Sequence, residues 1–230
     1  EVVCANPIQN SHMRIQIVNS NINQVRVIRL GSTDTVPSII KGLSIIGIEN
    51  ATTQPIAIKS DAQDWIYCNH IGVDATGLES NFSNYYGLCL NCGTGGSGSN
   101  GGNGIIGTNG DGIDDYSERN LIVANNRGIE HLSGANYIIS GNYFGLKTDG
   151  SSFTEQMNTA IYVRQAASNT LIGSNHDIVG DFDERNYFAA TNDAVIIIDG
   201  NSSANVRINS NLFGIGGNGT VVDIPVAIEL

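Results

Sequence analysis

The chain has 230 residues, 40% of them apolar and only 14% charged, with a formal net charge of −11. That balance argues against nucleic acid as a partner, since phosphate binding needs clustered Lys and Arg, and against an anionic membrane surface. No apolar run approaches the ~18–20 residues of a spanning helix, so no membrane insertion is expected and solvent must be met by Asn, Ser, Thr and Gly.

In chain order, residues 1–38 hold alternating apolar pairs, Ile15 with Ile17 and Val25 with Val27, that suit strands. They lack the Asn and Gly marks found later, which predicts either an end cap or divergent turns of one coil. The first clear strand region spans 39–48, and Ile56 with Ile58 follows. From Trp65 the chain repeats itself. The stretch Ile139-Ser140-Gly141-Asn142-Tyr143-Phe144-Gly145 has counterparts at 66–72 and 208–214, offsets of 73 and 69. A second block, Gly107 through Glu118-Arg119-Asn120, recurs as Gly173 through Glu184-Arg185-Asn186, an offset of 66. A third piece at 88–90 matches 161–163 and 226–228. Gly72 to Leu88 and Gly145 to Ile161 are both 16 residues. The seven extra residues between Leu88 and Gly107 fall in the Gly-rich tract 93–104. Because the repeat resumes in phase after it, the tract is expected to be a loop insertion and not a linker.

Short apolar clusters at intervals of roughly 23 residues, parted by Asn and Gly, predict a parallel β-solenoid with about three rungs per ~70-residue repeat. Gly and Asn suit its corners because both tolerate left-handed backbone. About ten rungs at ~4.8 Å would make a rod on the order of 45–50 Å long, in one domain covering 1–230. A β-sandwich, the competing fold, needs hairpin turns and has no reason for phased units.

The segments NHIGVDATG, GNYFGLKTDGSS and NLFGIGGNGT resemble the GNYIGTDxxG element of right-handed parallel β-helix repeat proteins. The IIGTN…ERNLI and LIGSN…ERNYF blocks are similar to the TIGG…RNVI element of the same family. The resemblance covers about residues 39–230 and implies a right-handed parallel β-helix. It implies little about activity, since such repeats occur mostly in large secreted or surface-anchored bacterial proteins. The wider fold relatives include pectate lyases, polygalacturonases, epimerases, tailspikes and adhesins. The long acidic loop after each Ile-Gly departs from the family's shorter, less charged one.

Those loops are the first candidate site. Asn109, Asp111, Asp115 and Glu118 stand at EF-hand-like intervals, and Asn175, Asp177, Asp181 and Glu184 repeat them. Carboxylates this close repel one another unless a cation or protons intervene, which points to Ca2+, although Gly107 stands where the first ligand should be. Without a metal, the expectation is an ion pair within each Glu-Arg-Asn and solvated Asp residues. The run Asn109 to Asp114 also resembles the NTDGxD element of polygalacturonases, which use paired carboxylates for acid and base catalysis. That resemblance nominates Asp111, Asp114, Asp115 and His131 as a catalytic set. It lacks the family's Gly-His-Gly and Arg-x-Lys. His12, His70 and His176 share no spacing with it.

Tyr85 and Tyr143 are the candidates for stacking on sugar rings, whereas Phe144 and Phe213, equivalent in the repeat, predict an internal stack. Cys4, Cys68, Cys89 and Cys92 allow three pairings, and one or two disulfides would fit an exported protein. Asn50, Asn81, Asn201 and Asn218 lie in glycosylation sequons. Glu1 in place of an initiator Met, and a last strand at 226–230 with no polar cap, lead to the expectation of a fragment of a longer protein or of copies stacking through uncapped ends.

Three functions follow. The first is a non-catalytic extracellular or cell-surface module, structural, adhesive or glycan-binding. The second is a polysaccharide-active enzyme centred on the Asp111 loop. The third is a filament subunit.

Overall fold

The computed structural model describes residues 15–18, 26–31, 36–47, 55–61, 63–80, 84–92, 103–189, 191–199 and 205–230. Cys4, His12, Val25, residues 93–102 of the Gly-rich tract and the sequons at Asn50, Asn81 and Asn201 lie outside the described residues.

Among the described residues, twenty short strands form three parallel sheets, two of seven strands and one of six. Each strand pairs with the third one after it, so the chain visits the first, second and third sheet in turn and closes one coil. This is the parallel β-helix that the repeat predicts. The segments Ile15–Val18 and Arg26–Arg29 pair in parallel with Leu43–Ile46 and Ile56–Ser60, so the divergent N-terminal strands are turns of the same coil.

The coil count differs from the spacing estimate of three rungs per repeat. Paired residues of the first sheet are 51 apart from His70 to Leu121 and 22 apart from Leu121 to Tyr143. They are then 44 apart from Tyr143 to Tyr187 and 25 from Tyr187 to Leu212. One ~70-residue repeat is therefore two coils, one long and one short. Seven strands at ~4.8 Å give a height on the order of 30 Å, less than ten rungs would. Loops lengthen the long coils without adding height.

Alternation decides what each strand buries. Ile58, Leu88, Ile129, Ile161 and Ile196 share one inward row of the second sheet, all fully buried. Full burial of each such side chain contributes about 1.5–3 kcal/mol. Phe144, Phe188 and Phe213 stack at 4.9 and 5.1 Å between centroids, so the predicted pair is joined by a third ring from the short coil between them.

At the corner before the first sheet, Asn69, Asn120, Asn142, Asn186 and Asn211 form a ladder. Each side-chain amide donates to a carbonyl oxygen of the preceding coil, at Ile40, Ile66, Ile106, Ile139 and Ile172, over 2.8–2.9 Å. The first four also donate to the Oδ1 of the next Asn at 2.9–3.1 Å. The two repeat blocks seen in sequence thus place their Asn at one structural position in alternating coils. Left unpaired, a buried amide costs about 1–3 kcal/mol; paired along the ladder it holds coil on coil.

Outside the first sheet, the chain throws out a loop after His70–Ile71, after Tyr143–Phe144 and after Leu212–Phe213, each closed by an isolated antiparallel bridge: Val73 with Ser80, Leu146 with Ser152, Ile215 with Val221. The Thr148 N–H donates to the Gly77 carbonyl at 3.0 Å, joining the first loop to the second. Beneath them a second apolar cluster forms, with Leu121, Tyr143 and Tyr187 from the sheet and Val73, Leu146 and Phe153 from the loops.

Candidate functional site

The acidic loops 108–120 and 174–186 connect the third sheet to the first in the two long coils. Their internal bonding is the same. Thr108 Oγ1 donates to Asp115 Oδ1 at 2.8 Å, and Asp115 Oδ2 accepts from the Gly112 N–H at 2.9 Å. Ser174 and Ile178 treat Asp181 alike, at 2.7 and 3.2 Å. Glu118 accepts from the Asn109 N–H at 3.1 Å and Glu184 from the Asn175 N–H at 2.9 Å. Asp111 and Asp177 each accept from the N–H two residues on, at 2.8 and 2.9 Å. Short-range acceptance of this kind is how Asp and Asn shape turns.

The eight residues nominated for Ca2+ are therefore engaged by hydrogen bonds within their own loops. Among the described residues no three His, Cys, Asp or Glu side chains converge as a metal group. Burial raises the pKa of Glu118 and of Glu184, while accepted hydrogen bonds oppose it. The Ser174 hydroxyl bond leads in lowering that of Asp181.

The loops also stack on each other. A Cβ added to Gly110 would lie 2.0 Å from Glu184 Oε1, and one added to Gly180 2.3 Å from Asp115 Oδ2. The ion pair expected inside each Glu-Arg-Asn does not form. Arg119, buried, bonds instead to Asp183 of the other loop at 2.8 Å. Its guanidinium packs on Tyr116 at 4.7 Å and Tyr143 at 5.2 Å.

The catalytic set does not assemble. Asp111 and Asp114 are exposed, Asp115 is buried, and His131 lies on the second sheet facing the core. His131 Nδ1 is 3.1 Å from Thr170 Oγ1, and its ring meets Tyr137 edge-on at 4.7 Å. Burial pulls its pKa down to about 4.

Of the tyrosines, Tyr85 is half-buried, edge-on to Tyr86 at 4.8 Å. Tyr143 points outward from the first sheet as expected of a sugar platform, but the projecting loops bury it to 3% exposure. Gly217 lies directly on its ring. Cys89 and Cys92 form a disulfide with Cα atoms 5.7 Å apart, and Cys68 is also disulfide-bonded.

The third sheet carries a feature that residue chemistry did not nominate. Its inward row is Ile66, Ile106, Ile139 and Ile172; its outward row is Trp65, Ile105, Ile138, Leu171 and Arg207. Beside that outer row Asn103, Asn136, Asn169 and Asn205 all adopt left-handed backbone, with φ between 50° and 67°. The Asn column and the outer-row residues Ile105, Ile138, Leu171 and Arg207 line a groove of about 860 Å3 that runs along the solenoid, and Trp65 stands next in the row past Ile105. The signal in sequence is an Asn two residues ahead of Ile105, Ile138, Leu171 and Arg207, whereas Trp65 has Gln63 there. It is faint because the two are parted by a variable residue and the intervals, 33, 33 and 36, differ from those of the main repeat.

Compared with known proteins, the chain matches no family model, no curated protein and no solved structure.

Proposed function

We propose that this chain is a non-catalytic β-helix module, a rigid structural or adhesive segment of an extracellular or cell-surface protein. The observation that carries the proposal is that the nominated acids do not converge: Asp111 and Asp114 are exposed, while Asp115 serves as an internal fastener. Asp115 and Glu118 are each bonded within their loop, and the histidine that would complete an acid–base set is sealed in the core. General acid–base work needs a group within reach of a substrate proton at ~2.6–3.2 Å, and a buried, already bonded side chain offers none. The Cys89–Cys92 disulfide fits an oxidising compartment. Among the described residues no helix is long and apolar enough to cross a membrane.

The test is native affinity electrophoresis through neutral and acidic polysaccharides, with and without calcium, with the same gels assayed for new reducing or unsaturated ends. The expected result is retardation or free passage with no new ends. New ends that Asp111→Ala abolishes would overturn the proposal.

A further inference from the structure

We propose that the outer groove of the third sheet binds a neutral, linear polysaccharide lying along the solenoid axis. This rests on the non-catalytic reading above and gives that module its ligand class. Both edges of the groove point to the same chemistry. The floor, made by Ile105, Ile138 and Leu171, is apolar and suits the C–H faces of flat sugar rings. The wall is a column of Asn amides, in which Asn205 Nδ2 donates to Asn169 Oδ1 at 3.1 Å, and their remaining donors and acceptors suit hydroxyl groups that are themselves both.

Spacing agrees with that assignment. Neighbouring coils are ~4.8 Å apart, close to the advance of one pyranose in an extended chain, so each sugar faces one Asn and one apolar side chain. Trp65, next to Ile105 in the outer row, extends the apolar surface past the groove: its indole N–H donates to the Gly107 carbonyl at 2.9 Å and its ring rests against Tyr67 at 4.3 Å. A half-buried, fixed indole loses little entropy when a sugar stacks on it.

Other occupants fit worse. A peptide strand needs an unpaired edge, yet Ile105 pairs with both Trp65 and Ile138, and Leu171 with both Ile138 and Arg207. An apolar helix would desolvate the amide column without bonding it, at about 1–3 kcal/mol per amide. A polyanion would find one lining cation, Arg207, on a chain of net charge −11.

Trp65 is the only tryptophan and pairs with Ile105 at the end of the groove, so its fluorescence reports on a chain lying along the row past Ile105. The probes are cello-hexaose and xylo-hexaose, with oligogalacturonate as the acidic comparison. The expected result is a saturable change in Trp65 emission with a neutral probe. It should weaken at least tenfold in Ile138→Arg, and also in the double variant Asn136→Gly with Asn169→Gly, where glycine keeps the left-handed backbone. Thermal unfolding and far-UV circular dichroism show that the variants fold. No response to either neutral probe, a response to oligogalacturonate alone, or equal binding by Ile138→Arg would overturn the groove while leaving the non-catalytic module standing. New reducing ends would instead overturn the module. If Ile138→Arg also removed them, the groove would stand.

Discussion

The two acidic loops share one backbone and one set of hydrogen bonds, yet they differ where glycine stands. Gly110 and Gly112 of the first loop correspond to His176 and Ile178 of the second, and all four have positive φ, from 63° to 83°. Gly180 of the second loop corresponds to Asp114 of the first, again both left-handed, at 68° and 59°. Left-handed backbone therefore does not by itself select glycine in these loops. What the glycines share is a neighbour: Gly110, Gly112 and Gly180 each lie against the opposite loop. Ile178, 90% exposed, has lost that constraint. Gly107 and Gly173 remain glycine in both copies because in both a carbonyl oxygen of the next coil, Ser140 or Asn209, would lie within 2 Å of a Cβ.

The largest expected effect comes from breaking that contact. Gly110→Ala strains a left-handed residue and displaces the Glu184 carboxylate from the Asn175 N–H, which should cost about 3 kcal/mol in chemical denaturation. His176→Ala, at the equivalent position, should stay within about 0.5 kcal/mol. Equal losses would refute the role given to the neighbour.

Acid titration separates the loops from the core. Burial depresses the His131 pKa to about 4, against an ordinary value of 6.5. Its contribution to stability is thus complete above pH 6.5 and is lost as pH falls through about 4, amounting to about 3 kcal/mol. Glu118 and Glu184 act in the opposite sense. Their raised pKa values favour the protonated form, so their contribution is present below the usual carboxylate range and is lost as pH rises through the folded-state values. A double variant, His131→Leu with Thr170→Val, should therefore lose the acid-side decline and uncover the loops' opposite slope. A decline that persists unchanged would assign it elsewhere.

Asp115→Asn turns one acceptor of a buried hub into a donor facing Gly112 or Thr108 and should cost about 2 kcal/mol in denaturant. Asp181→Asn, in the more solvated copy, should cost less. The reverse order would show that burial does not set the relative strength of the two networks. The smallest effect is expected from calcium. Loops that close their own hydrogen bonds should shift in Tm by less than about 1 °C between excess calcium and excess EDTA. A rise of several degrees with calcium would place an ion among Asp111, Asp115 and Glu118.

Much of the molecule is legible in its order of residues. Recurrence of Ile, Asn, apolar residue and Gly at one phase is enough to specify a parallel coil, because only stacked identical positions satisfy such a pattern. The inward Phe stack and the loops' duplicated carboxylates were visible for the same reason. Sequence spacing, however, measures contour length, and a loop adds contour without adding height. That is why one ~70-residue repeat reads as three rungs but is two coils, and why the Asn of the Ile-x-x-Asn block and that of the Glu-Arg-Asn block look unrelated until Asn120 is seen bonded to Asn142. The burial of Tyr143 under loops from its own and a later coil, the pairing of Arg119 with Asp183 across 64 residues, and the groove beside Trp65 belong to tertiary structure alone. Each depends on which coils become neighbours, and neighbourhood across coils is decided by strand register in three dimensions, which no local pattern encodes.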